Sequence, residues 1–167
     1  MKFHRHAGSA TGRLQLLRTL SLAYLALMVS SCTDLGTAPE QGLLADHSGI
    51  ADPVKRWEAY SLEDYSIIQV RTCFCADGGK KFLVTVRSGN IASVVDQSNG
   101  SALGEDRWGA FRTIPGLFTM VESIDTANVA SYQFSYDPRY GYPRIVFVDP
   151  SAQIADEEYG YETELIH

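Results

Sequence analysis

Lys81-Phe-Leu-Val-Thr-Val-Arg-Ser-Gly-Asn-Ile-Ala-Ser-Val-Val-Asp96 reads as a β-hairpin, and the fold is read outward from it. Phe82, Val84 and Val86 alternate with Leu83, Thr85 and Arg87, the period of a strand over Lys81 to Arg87. Gly89-Asn90 is a two-residue turn signal, because glycine accepts the positive φ that such turns require. A partner strand then runs from Ile91 to Asp96. With Gly89 and Asn90 as the turn, Val84 faces Val95 and Val86 faces Ser93. Directly opposed residues share a face, so Phe82, Val84, Val86 and Val95 are expected to form one inner surface.

Upstream, Asp64 to Cys75 reads as a further strand, with Ile68, Val70, Thr72 and Phe74 on one face. Gln69, Arg71, Cys73 and Cys75 then lie on the other, more polar face, and Ala76-Asp77-Gly78-Gly79 is a turn. Before this strand, Asp52-Pro53 starts a short helix ending near Ser61: Asp caps and Pro suits the first turn. Trp57 and Tyr60 on its apolar face could meet a sugar or a peptide, but such stripes are more often core.

Downstream, Gln97 to Arg112 reads as a loop pinned by Trp108 and Phe111. Thr113 to Asp125 reads as a second helix with Leu117, Val121 and Ile124 on one side, Thr113 as its cap and Pro115 in its first turn. Three strands follow: Ala130 to Asp137, Arg144 to Asp149, and Tyr159 to Leu165. The first two are joined by Pro138-Arg-Tyr-Gly-Tyr-Pro143. The class is therefore α+β: an antiparallel sheet of about five or six strands with two helices on one face, in an order that suggests two α-β-β-β units.

The N-terminal region has a different character. Lys2, Arg5, Arg13 and Arg18 precede an uncharged run from Thr19 to Ser31, the layout of a secretory signal and too short for a membrane span. It ends in Val29-Ser30-Ser31-Cys32, which resembles a bacterial lipobox. Small residues fit a peptidase cleft, and a thiolate at Cys32 can carry a diacylglyceryl group, with palmitate-type acyl chains making the anchor stable. The domain organisation is then a lipoprotein signal peptide over 1–31, a flexible Gly- and Pro-containing tether over 32–52, and a single α+β domain over 53–167. The bland alternative is an ordinary secretory signal with an incidental cysteine.

All 20 Asp and Glu lie after Cys32 but only 10 of the 14 Lys and Arg do, so the mature chain carries a net charge of −10. That disfavours nucleic acid and anionic lipid as partners. The expected location is the bacterial cell envelope, membrane-anchored and facing outside the cytoplasm.

Candidate chemistry is sparse. Cys73 and Cys75 form an even pair, which fits a disulfide in an oxidising compartment. In an extended strand their Cα atoms would be ~6.6 Å apart, near the upper limit for a bond unless the strand bends. A redox-active pair and a soft-metal thiolate site are the alternatives. Asp149, Asp156, Glu157 and Glu158 could offer oxygens to Ca²⁺, but no EF-hand spacing is present and a solvated acidic loop is the simpler reading. Tyr140 and Tyr142 flank Gly141 and are a possible binding surface, set against a turn with packed aromatics. No nucleophile elbow or phosphate loop occurs in the sequence. The expectation is a non-catalytic module with no metal and no cofactor, binding an unknown protein or small ligand. The alternative is a thiol-disulfide or metal-handling protein that uses Cys73 and Cys75.

Trp57 and Tyr60, Cys73-Phe-Cys75, Gly89-Asn-Ile91, Thr113-Ile-Pro-Gly-Leu-Phe118, Tyr136-Asp137, Gly141-Tyr-Pro143 and Asp156-Glu-Glu158 occur in an order that resembles the bacterial family catalogued as domain of unknown function 6174. The resemblance covers roughly residues 53–165. It implies secreted or lipidated envelope proteins and brings no activity with it.

Overall fold

Strand pairing sets the architecture. The computed structural model describes residues 45–166. The expected signal peptide, the candidate lipidation residue Cys32 and the expected tether up to residue 44 lie outside the described residues. The elements are α1 (Pro53–Ala59), β1 (Tyr65–Thr72), β2 (Lys81–Arg87), β3 (Asn90–Asp96), a 3-10 turn (Glu105–Ala110), α2 (Ile114–Ser123), β4 (Ser131–Tyr136), β5 (Pro143–Asp149) and β6 (Tyr159–Ile166). All six strands join one antiparallel sheet in the order β3-β2-β1-β6-β5-β4. The domain is α+β, as expected.

The hairpin forms, but one residue out of the expected register. Its turn residues are Ser88 and Gly89, both at positive φ (47° and 73°) as a type I′ turn requires. Asp64 Oδ1 accepts from the Ser88 N–H at 2.7 Å, and the Gly89 N–H donates to the Glu63 carbonyl at 2.9 Å. These two bonds hold serine in a conformation that sequence preference would give to asparagine. Val84 consequently pairs with Val94 and Leu83 with Val95, and a bulge between Thr85 and Val86 brings Val86 opposite Ile91. Val94, not Val95, completes the buried surface with Phe82, Val84 and Val86.

The face of β1 is also reversed. Tyr65, Ile67 and Gln69 are buried, each opposite Val86, Val84 and Phe82 respectively, whereas Ile68 and Val70 lie half-buried on the other side. The strand ends at Thr72, leaving Phe74 81% exposed. Apolar residues at both parities of β1 made its alternation ambiguous; pairing with the strongly amphipathic β2 decides it.

Gln69 is wholly buried because its carboxamide has two partners. Oε1 accepts from the Arg112 N–H at 3.0 Å and Nε2 donates to the Arg112 carbonyl at 3.2 Å. One side chain thereby does for Arg112 what a neighbouring strand would do, and ties the 97–112 connection to the sheet. That connection holds the 3-10 turn, Trp108 Nε1 donating to the Leu103 carbonyl (3.1 Å), and the buried Phe111.

Both helix starts follow their caps. Asp52 Oδ1 accepts from Val54 and Lys55 N–H groups, and Pro53 opens α1. At α2, Thr113 Oγ1 accepts from Gly116 N–H (3.2 Å), Pro115 has no N–H to satisfy, and the Ile114 N–H donates to the Tyr65 hydroxyl at 2.9 Å. The Ile114 and Gly116 N–H groups are thus both partnered, and Pro115 brings none. Ile114, Leu117 and Phe118 are its buried residues, so the buried stripe begins a turn earlier than the expected Leu117, Val121 and Ile124. Trp57 meets Tyr65 and Tyr142 edge-on, at 5.4 and 6.2 Å between ring centroids, within the same core as Phe82 and Leu117.

Truncating Gln69 to Ala strands a buried N–H and a buried C=O and leaves a void, so a loss of about 3 kcal/mol is expected in urea unfolding. Alkaline sensitivity follows from Tyr65. Burial pushes its phenol up to about 12, against opposing hydrogen bonds from Ile114 and Thr113. The folded state holds this proton more tightly than the unfolded chain does, so stability present below pH 10 is lost as pH rises towards 12, by about 2–3 kcal/mol. Tyr65→Phe should be less stable at neutral pH, through the unpaired Ile114 N–H, and should lose less between pH 10 and 12. Unfolding curves of the two proteins across that window check this.

Candidate functional site

The connector between β4 and β5 is built around Asp137. Its Oδ1 accepts from the Arg139 and Tyr140 N–H groups (2.9 and 2.8 Å), and its carbonyl accepts from Gly141 N–H (2.9 Å). Its own N–H donates to the Tyr142 carbonyl at 2.8 Å. This is the self-bonding turn that Asp favours. Arg56 of α1 clamps it from outside: the guanidinium donates to Ile50 (2.7 Å) and to Pro138 (2.6 Å) carbonyls, linking the segment before α1 to the connector. Gly141 has φ +83°, and a Cβ there would come 2.4 Å from the Pro53 carbonyl oxygen. Only glycine lets the connector lie this close to α1.

Tyr140 and Tyr142, weighed from the sequence as a possible binding surface against a turn with packed aromatics, are buried at 6% and 4% exposure, so their rings pack. The Tyr140 ring packs against Tyr60, and the Tyr60 hydroxyl donates to the Arg139 carbonyl at 3.1 Å. The Tyr142 hydroxyl accepts from the Leu165 N–H at 3.2 Å. Burial raises both phenols. Their outer edges nonetheless border a concavity of about 540 Å³. Strand register supplies its floor: Val70 lies between Lys81 and Glu162, Ile145 lies beyond Glu162, and Ile68 lies opposite Glu164. Apolar and charged side chains thus alternate across the strands. Arg144 and Asp137 complete the rim. Such a surface can hold a mixed-charge segment with apolar side chains; the distribution of charge gives no strong preference for an anion or a cation alone.

Cys73 and Cys75 lie at the far end of β1. Their sulfurs are at bonding distance (2.01 Å) and their Cα atoms 5.3 Å apart. The extended geometry expected from the sequence does not apply, because β1 stops at Thr72 and the chain bends. The bend is closed by Gly79 N–H to the Arg71 carbonyl (2.9 Å) and Gly78 N–H to the Cys75 carbonyl (3.0 Å). Asp77 within it pairs with Lys80 and with Arg107 of the 3-10 turn. Desolvation pushes the Asp77 carboxyl up, but the hydrogen bonds from Arg107 and Lys80 outweigh it and hold the group below its ordinary range.

In the acidic loop Asp149 Oδ1 accepts from Ser151 N–H (3.1 Å), an internal turn bond. Among the described residues no three His, Cys, Asp or Glu side chains converge as metal ligands. Arg56 and Gln69 have no site role in the sequence reading, and Asp137 enters it only within the Tyr136-Asp137 resemblance. Asp137-Pro-x-x-Gly141 carries a turn signature that could have exposed the third; no local signal marks the first two.

The molecule is thus an α+β domain whose six-stranded antiparallel sheet carries a shallow surface concavity at one connector. The chain belongs to the family described as "Family of unknown function (DUF6174)", whose model matches residues 50–167. No curated protein and no solved structure matches it. Among the described residues no helix is long and apolar enough to cross a membrane.

Gly141→Ala forces a left-handed φ on alanine and drives its methyl into the Pro53 carbonyl. A loss of about 3 kcal/mol is expected, read by chemical denaturation.

Proposed function

We propose that this chain is a lipid-anchored protein of the bacterial cell envelope, held at Cys32 and facing outside the cytoplasm, and that its domain acts by binding a segment of another protein rather than by catalysis. The anchor reading rests on the basic start, the short uncharged run and the small residues before Cys32. The acidic mature chain suits a solvated surface in that setting.

The observation that carries the binding reading is the concavity beside Tyr140 and Tyr142. Its floor is sheet, and its rim is a connector locked by Arg56 and Asp137, so the surface is preorganised and little ordering cost falls on association. On this reading α1 and α2 cover one face of the sheet, and the partner takes the other. The alternation of Lys81, Val70, Glu162 and Ile145 across four strands offers apolar contact between charged positions, which fits a peptide segment better than a compact single-charge ligand.

Two measurements test the two halves. A fatty-acid analogue fed to cells should label the wild type and not Cys32→Ala; equal labelling removes the anchor. Crosslinking in intact envelopes should capture a defined partner with the wild type and lose it with Ile145→Arg, whose far-UV spectrum is expected to match the wild type. An unchanged crosslinking pattern in that folded variant removes the concavity as the binding surface.

A further inference from the structure

We infer that Cys73–Cys75 is an exchangeable redox site that takes two electrons from a protein dithiol, an activity beyond the binding reading and independent of the concavity. A structural disulfide stabilises by restricting the unfolded chain, and the effect shrinks with the loop enclosed. Here one residue, Phe74, separates the two cysteines. The bond joins two positions of the same bend, whereas a clamp would join separate elements.

The bend also does not need it. Gly79 N–H to the Arg71 carbonyl and Gly78 N–H to the Cys75 carbonyl close it through the backbone, and Asp77 anchors it to Lys80 and Arg107. Gly78 packs against Cys73 so closely that a Cβ would stand 2.3 Å from the Cys73 carbonyl oxygen. With the sulfur bridge open, these contacts persist and keep both thiols in one turn. A crosslink that adds little to stability and sits on a self-supporting scaffold is suited to opening and closing.

Access agrees with this. Cys75 is exposed and Cys73 half-buried, and neither belongs to the core. Between them Phe74 is 81% exposed, the largest value among the exposed large apolar side chains of the described residues. An aromatic ring turned to solvent beside reactive sulfur is a contact point for a protein that approaches that sulfur.

The exchange balances as follows. A thiolate of the partner attacks Cys75 Sγ, the more accessible sulfur. The Cys73–Cys75 bond breaks and Cys73 leaves as a thiolate, giving a mixed disulfide between the partner and Cys75. The partner's second thiolate attacks its own sulfur in that mixed disulfide and releases Cys75 as a thiolate. Cys73 and Cys75 take up the two protons the dithiol has lost. The partner is oxidised to a disulfide and the pair is reduced to two thiols.

The test uses the full chain carrying Cys32→Ala, so that only this pair is counted. After equilibration with about 10 mM reduced and about 1 mM oxidised glutathione, alkylation and mass measurement should find at least half of the pair reduced; a pair that stays more than about nine-tenths oxidised overturns the proposal. A reduced protein dithiol whose resolving cysteine is replaced by serine should form a mixed disulfide with the chain on a non-reducing gel; absence of that adduct also overturns it. Phe74→Ala should slow reduction by the protein dithiol about tenfold and leave reduction by glutathione unchanged; equal rates remove the docking role of the ring. The double variant Cys73→Ser, Cys75→Ser should melt within about 4 °C of the oxidised parent, whereas a larger fall identifies a structural clamp.

Discussion

The pairing of β1 with β6 is the constraint on which the molecule depends. It runs from Ser66 opposite Ile166 to Thr72 opposite Gly160, and among the described residues it is the only strand pairing that joins the two halves of the sheet. Without it the chain offers two separate three-stranded meanders, each with an extra open edge and too little buried area to be secure. The seam is also demanding. Gly160 lies so close to β5 that a Cβ would come 2.0 Å from the Val146 carbonyl oxygen, so the last strand can enter only with glycine at that position. Its partners are about a hundred residues apart, and closing it waits on most of the chain.

Several features take their position from this seam. Gln69 sits within it, opposite Thr163, and reaches from it to hold Arg112. Tyr161 extends from β6 to donate to the Ala110 carbonyl at 2.9 Å, fastening the same connection a second time. The Tyr142 hydroxyl accepts from Leu165, so the connector is registered against β6 as well as against α1. The floor of the concavity draws Val70 from β1, Glu162 from β6 and Ile145 from β5. It exists because the halves meet in this register; a slip of one residue would turn every one of these side chains to the other face.

The two candidate sites differ in how they are held. The connector at Asp137 is locked from several directions, by Arg56, Tyr60 and its own turn bonds. It presents a fixed shape. The bend at Cys73 is closed by its backbone and by Asp77, while Cys75 and Phe74 are exposed and Cys73 is half-buried. It presents an exposed aromatic ring beside the cysteine pair on a support closed by other bonds. On the readings proposed above, the rigid shape would serve recognition and the accessible bond would serve exchange.

Local chemistry determined much of this from sequence alone. Asp52-Pro53 and Thr113-x-Pro115 set both helix starts, because capping needs only neighbouring backbone donors. Alternation located most of the strands and a near-continuous apolar run located β5, and short connections favoured antiparallel neighbours. What sequence could not decide was everything that depends on a distant partner. The face of β1 awaited pairing with β2; the hairpin turn moved by one residue because Asp64 and Glu63 hold Ser88 and Gly89. Gln69 read as an outward polar residue until Arg112 supplied both halves of its hydrogen bonding. Tyr140 and Tyr142 could be read as a surface or as packed aromatics, and the contacts with α1 and β6 make them packed. Periodicity and caps are written in neighbouring residues, whereas burial of a polar group or an aromatic ring depends on which remote atoms arrive to meet it.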